Sequence, residues 1–349
     1  MAAEEGLKAE HVSLAGPRVP WSKGTIFLVA ILVLAVLGIG VQAVHDGTLF
    51  AQITLNGITL AGLYFIVASG FTLIFGLMRV VNMAHGSFYM LGGIIAFLIQ
   101  EHMLKPDPTS FDLPQATWGS FVIPLVVATF AVALLGLIIQ QVFLRWNQGQ
   151  ELRQALITIA ISIIVADQAV ARFGGIAKEI SVPVRKSVDL PIVGMFGTMR
   201  LVMLFVAILV GILLWLLITK TRFGMIVRAG VDDRQTVTAL GVDIQKVFAV
   251  AFLLGAFLAG LAGVLGGAVN SVNKSDDGKF LLISLVIVII GGMGSLTGAA
   301  IGALLLGLID SYSDVYLPES ITNYGVLLTF FLLVFVLAVR PYGLFGRPG

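Results

Sequence analysis

Residues 221–247 read TRFGMIVRAGVDDRQTVTALGVDIQKV, and they decide how the rest of the chain is read. The stretch is polar and of mixed charge, and it lies between two long apolar runs, Leu201–Thr219 and Val247–Val269. A turn between neighbouring helices needs only a few residues, so a connection of this length has a task of its own. Ile226, Val227, Val231, Val237 and Leu240 offer apolar anchors among Arg222, Arg228, Asp232, Asp233 and Arg234. That pattern fits an amphipathic element at a membrane surface. A short helix is expected around Asp233–Leu240, ended by Gly241, with Asp232 or Asp233 at its N-terminus, where negative charge is favoured. Such an element suits a soluble partner; a surface helix without one is the plainer reading.

Outward from this stretch the composition points to lipid. The 349 residues are 58% hydrophobic and 11% charged, and the mean hydropathy is +1.03. A soluble domain has no means of hiding that much apolar surface. The chain has no cysteine, which excludes disulfides, thiolate metal sites and cysteine nucleophiles. His11, His45, His85 and His102 are scattered and show no metal-binding spacing, and the net charge of +2 forms no basic stripe for nucleic acid. The expected class is an all-α polytopic membrane protein.

A span needs about 20 mostly apolar residues. The candidates are Thr25–Val44, Ala51–Phe75, Val80–Ile99, Phe121–Phe143, Leu152–Phe173, Leu201–Thr219, Val247–Val269 and Tyr324–Val339. Phe280–Ile309 is longer and broken by Gly291, Gly292, Gly294 and Ser295, so it reads as two half-helices in a hairpin. Residues 1–24 read as a polar cytoplasmic tail, 25–340 as the membrane domain and 341–349 as a second cytoplasmic tail. Within the domain, 220–246 reads as cytoplasmic and 174–200 as an outer loop suited to a small hairpin or an irregular cap. With the N-terminus inside, thirteen of the 21 Lys and Arg fall on the cytoplasmic side. The bias supports both termini in the cytoplasm, provided that Phe280–Ile309 starts and ends on the outer face as a broken hairpin.

Polar residues inside apolar runs are the candidate pathway groups. Asn82 and His85 interrupt the start of one span. They fit either a broken helix whose N-terminal amides face a translocation path or an interfacial cap in which His85 ties two helices. Asp167 and Gln168 lie inside Leu152–Phe173, where a carboxylate faces a cavity or a partner. Asp167 and Arg172 are five apart and do not share a helix face. Asn56 is a milder candidate. Ala256, Ala259, Gly260 and Gly263 recur at a spacing that lets helices approach closely. The Gly291–Gly294 run lacks the Gly-Lys-Ser/Thr ending of a nucleotide loop, so any ATP hydrolysis belongs to another chain.

Three blocks carry a family resemblance: NGITLAGLYFIVASGFTLIFGLMRVVNMAHGSFYMLGG at Asn56–Gly93, GMIVRAGVDDRQTVTALGVDI at Gly224–Ile244, and IGGMGSLTGAAIGALLLGLID at Ile290–Asp310 with RPYGLFG at Arg340–Gly346. In this order the chain resembles the membrane permeases of ABC importers for branched-chain amino acids, of the leucine/isoleucine/valine H-subunit type. The resemblance implies an ABC importer permease fold of about eight long spans plus the Gly-broken hairpin. It implies two cytoplasmic ATPases, a second permease subunit (often a paralogue) and an extracytoplasmic binding protein. ATP and Mg would be bound by the ATPases, with no cofactor in this chain. The ATPase-coupling positions would be Arg228, Ala229, Asp232, Asp233, Leu240 and Gly241. The family also includes urea, amide and aromatic-acid systems. The Asp167–Gln168 pair departs from the family pattern. An ion-coupled transporter using Asp167 and His85, or a channel, are the readings from other classes.

Overall fold

The computed structural model of the protein describes residues 46–78, 81–105, 115–232, 234–316 and 325–346. The expected tail 1–24 and span Thr25–Val44 lie outside the described residues, as do Arg79, Asp233 and the prolines Pro106, Pro108 and Pro114. The described residues are mostly helical. In order the helices are α1 (Gly47–Met78), α2 (His85–Leu104), α3 (Trp118–Ile139), α4 (Glu151–Phe173), α5 (Thr198–Lys220), α6 (Arg222–Asp232), α7 (Arg234–Ala239), α8 (Ile244–Val269), α9 (Asp276–Gly291), α10 (Leu296–Tyr316) and α11 (Gly325–Val339). Seven of those described are long and apolar enough to cross a bilayer.

The long apolar runs form helices because lipid offers their backbone amides no other partner. Burial then sorts them. The apolar faces of α3 and α5, with Val126, Phe130, Ile208 and Ile212, remain exposed, as suits a surface wetted by lipid. By contrast, α1 and α8 sit at the centre and pack against one another, with α2 and α3 against α8 and α10 against α1. Small residues allow this. A Cβ on Gly263 of α8 would fall 1.8 Å from the Tyr89 carbonyl oxygen of α2, so only glycine lets the two backbones meet.

The hairpin expected from the glycine run is present and longer than expected. α9 has 16 residues, about 24 Å of rise, too short to cross alone. It turns through Gly292 (φ +96°) and Gly294 (φ +80°) into α10. The chain end closes on that turn. The amide N–H groups of Leu344 and Phe345 donate to the carbonyls of Ile290 and Gly291 at 2.8 and 3.0 Å.

Two ends of the bundle follow from contacts. At one, Gly76 lies against Gly294, the tail caps Gly292, and the side chains of Gln148 and Gln245 bond at 2.6 and 2.9 Å. At the other, β1 (Ser187–Leu190) and β2 (Gly194–Gly197) form an antiparallel hairpin, so the 174–200 loop folds as expected. Lys178 bridges to Val272 there, and the Gln100 side chain donates to the Ser181 carbonyl at 2.8 Å.

Two boundaries are corrected. The span read as Val80–Ile99 is a helix only from His85, and it starts deep inside the bundle. The residues before His85 form a turn because Asn82 and Ala84 engage each other locally rather than continuing a helix. The span read as Phe121–Phe143 starts at Trp118 and passes through a π-helical turn (Gln140–Leu144) and a 3₁₀ turn (Arg145–Asn147). A Thr117–Ser120 capping box, in which each side chain accepts from the other's N–H, sets its start.

Candidate functional site

The depth of α2 is fixed by its first residue. The Nε2–H of His85 donates to the Val67 carbonyl at 2.9 Å, and the ring packs edge-on against Phe71. Val67 lies eleven residues before Met78 along α1, about 16 Å of helix rise. The chain therefore leaves α1, re-enters the bundle and begins α2 near mid-height. Asn82 is fully buried on this re-entrant turn, and its Oδ1 accepts from the Ala84 N–H at 3.1 Å. The helix start falls at Ala84 and His85, so Asn82 shapes the turn before the cap instead of capping the helix itself. Among the described residues, Asn82 Nδ2 and His85 Nδ1 have no hydrogen-bond partner.

A second helix begins at the same height. The Gly86 backbone lies against the Asp277 carbonyl, where a Cβ would fall within 1.7 Å. Ser87 Oγ donates to Asp277 Oδ1 at 2.8 Å, and Ser162 Oγ donates to Asp277 Oδ2 at 2.9 Å. Ser162 is eleven residues into α4, again about 16 Å from that helix's start. One carboxylate thus joins α2, α4 and α9 where α2 and α9 both start. Thr158 of α4 adds a further tie by accepting from the Met83 N–H at 3.1 Å.

The same region presents charge to the outside of the bundle. Lys274 and Lys279 are exposed, and so are Asp167 and Gln168 on α4. Charged groups at this depth are costly against hydrocarbon. Such a face is suited to a hydrated space or to a second protein chain.

The five pathway candidates thus occupy three places. Asn82 and His85 are buried beside the junction, and Asp167 and Gln168 lie on the exposed face of α4. Asn56 sits at the far end, where its Oδ1 accepts from Arg200 Nη1 at 2.7 Å. Ser87, Ser162 and Asp277 are not singled out by sequence reasoning, because their meeting joins positions 87, 162 and 277 of the chain. A further pair is missed in the same way: Tyr64 Oη donates to Asp310 Oδ2 at 2.7 Å between α1 and α10. The available signal was a tyrosine and an aspartate inside apolar blocks.

The 221–243 stretch is helical on both sides of Asp233, over α6 and α7, so helix begins well before the short segment expected around 233–240. The cap is two-sided. Val227 and Val237 are buried with Ile244, Val247 and Phe248 of α8. Arg228, Ala229 and Gly241 face outward, with Met225 58% and Leu240 77% exposed. Gly241 (φ +83°) ends the second helix. Asp243 then caps α8, its Oδ1 accepting from the N–H groups of Gln245 and Lys246 at 3.1 and 3.4 Å. The Lys246 ammonium, 3.3 Å from Oδ2, holds the Asp243 carboxyl below its usual range.

An all-helical bundle with re-entrant helix starts, a polar face at mid-height and an exposed amphipathic cap defines a polytopic membrane permease. Residues 53–337 match the family model described as the branched-chain amino acid transport system / permease component, and the chain belongs to that family. It is 31% identical over 310 residues to the high-affinity branched-chain amino acid transport system permease protein LivH of Escherichia coli K12, covering 86% of this chain and 96% of the relative. The corresponding BraD of Pseudomonas aeruginosa is 30% identical over 317 residues, with the same coverage. A probable LivH permease of Methanocaldococcus jannaschii is 27% identical over 301 residues, covering 83% and 91%. No solved structure matches the chain.

Proposed function

We propose that this chain is a membrane-spanning subunit of an ATP-driven importer of branched-chain or similar small aliphatic amino acids. It works with two cytoplasmic ATPases, a second permease chain and an extracytoplasmic binding protein that delivers the substrate. Family membership and the names of the relatives support the substrate class. The observation that carries the coupling reading is the two-sided cap: Val227 and Val237 anchor it to α8, while Arg228, Met225 and Leu240 face outward. An ATPase that closes on ATP would push this cap and, through Val227 and Val237, tilt α8 at the centre of the bundle. Both termini are then cytoplasmic, the cap lies on the ATPase side and the β-hairpin end faces the binding protein. The exposed polar face around Asp277, Asp167 and Gln168 forms the wall of the translocation path with the second permease. ATP and Mg are held by the ATPases.

The test is purification of the chain from its native membrane in mild detergent, followed by substrate-stimulated ATPase assays on the variants Leu240→Asp and Arg228→Glu. Both positions are exposed, so the variants fold and insert. We expect co-purification of ATPase subunits with wild type, and a loss of stimulated turnover of about tenfold in the variants, the scale of a lost hot-spot contact. Normal stimulated turnover in both variants sinks the coupling assignment.

A further inference from the structure

A cavity of about 440 Å³ opens at the hairpin end of the bundle. Its size falls within the range of about 300–1,000 Å³ usual for small-molecule sites. It lies between the 179–186 segment, the start of α5 and the end of α8, away from the mid-height junction. Arg200 in the first turn of α5 lines it, half buried, with a neutral amide as its bonding partner: Nη1 donates to Asn56 Oδ1 at 2.7 Å. Among the described residues the one pair of opposite charges within 4.0 Å is Lys246–Asp243, so no described carboxylate pairs with Arg200. A guanidinium withdrawn from bulk water and held by a neutral oxygen retains full charge toward an anion. Glu179 lines the same cavity, and Val182, Val184, Met199 and Val269 supply an apolar wall. Arg185 and Lys186 add positive charge at the rim.

Cation, carboxylate and aliphatic wall in one cavity match the three parts of a zwitterionic aliphatic amino acid. We propose that this cavity is a receiving site at the outer mouth, in which Arg200 binds the substrate carboxylate, Glu179 its ammonium group, and the valine-rich wall its side chain. The inference rests on the amino-acid reading given under Proposed function and adds to it a site within the permease itself. Asn56 is then a positioning residue, aiming the guanidinium from α1.

The test uses the whole transporter reconstituted in vesicles with its ATPases and its binding protein, and follows uptake of radiolabelled leucine. Arg200→Met is expected to lower uptake by about tenfold or more, the scale of a lost charge-assisted hydrogen bond, while subunit assembly and basal ATPase activity persist. Arg200→Lys should recover part of the rate, because it restores the charge without the fork. Asn56→Ala removes the tie between α5 and α1 yet keeps the cation, and should cost much less than Arg200→Met. Equal losses in Asn56→Ala and Arg200→Met would make Arg200 a structural strut and overturn the proposal, as would wild-type uptake in Arg200→Met. Should Arg200→Met fail to assemble, Val184→Trp decides, since it fills the cavity from a partly exposed position: blocked uptake supports the site and normal uptake overturns it. Loss of binding-protein capture in Arg200→Met, with normal uptake in Val184→Trp, would assign the carboxylate to the binding protein and also overturn the proposal. A wild-type complex that moves none of leucine, isoleucine and valine refutes the amino-acid reading instead, before any variant is compared.

Discussion

Tyr64 and Asp310 show what a single polar pair does inside this bundle. The phenol is buried and donates to one carboxylate oxygen, while Thr329 lies 3.5 Å from the other. Tyr64→Phe leaves that oxygen without its donor and is expected to cost about 1–3 kcal/mol, the penalty for an unsatisfied polar group. Asp310→Asn in the same background should cost less than the sum of the two single changes, because each removes the same bond. Thermal unfolding of the four proteins in one detergent measures this; strict additivity would deny the coupling. Asp243 makes a different prediction, at the aqueous surface. Its carboxyl is depressed by the Lys246 hydrogen bond, so the cap adds stability above the ordinary Asp pKa and loses it as pH falls through the lower folded value. A spin label at Leu240 should therefore gain mobility on acidification in wild type. In Asp243→Asn, which keeps an acceptor oxygen but does not titrate, that response should be absent.

At the level of elements, the broken helices decide the architecture. The α9–α10 turn depends on Gly292, whose backbone (φ +96°) is closed to other residues and whose Cβ would fall 2.3 Å from the Gly346 nitrogen. Gly292→Val is expected to cost about 1–3 kcal/mol for the backbone alone and to expel the 343–346 segment as well. Limited proteolysis at the C-terminus should then cut the variant faster than wild type; equal rates would mean that the tail is held elsewhere. The glycine run was legible because Gly is the residue that frees a turn. The break before α2 was one of two readings that Asn82 and His85 allowed; its depth was not legible, because it is set by the His85–Val67 bond, a contact eighteen positions apart in the chain. The cap was half legible. Its amphipathic pattern marks the exposed Leu240 and Arg228, whereas the burial of Val227 and Val237 with Ile244, Val247 and Phe248 of α8 is a matter of packing.

For the molecule as a whole, α1 and α8 form a small-residue-lined axis, lipid-facing helices surround it, and the polar groups concentrate at three levels. The cap lies at one end, the carboxylate-linked junction of α2, α4 and α9 at mid-height, and the Arg200 cavity at the other end. Under the proposed coupling, a push on the cap would reach mid-height through α8, which packs on both α1 and α2. The sequence alone determined that the chain lives in lipid, that it has about this many spans, and that 221–247 is an amphipathic segment between two of them. It did so because hydropathy and 3.6-residue periodicity are local properties. Only the tertiary structure decided which polar residues meet. Asp277 with Ser87 and Ser162, Tyr64 with Asp310, and Arg200 with Asn56 are pairings between residues far apart along the chain, and their depth comes from helix packing that no local pattern encodes.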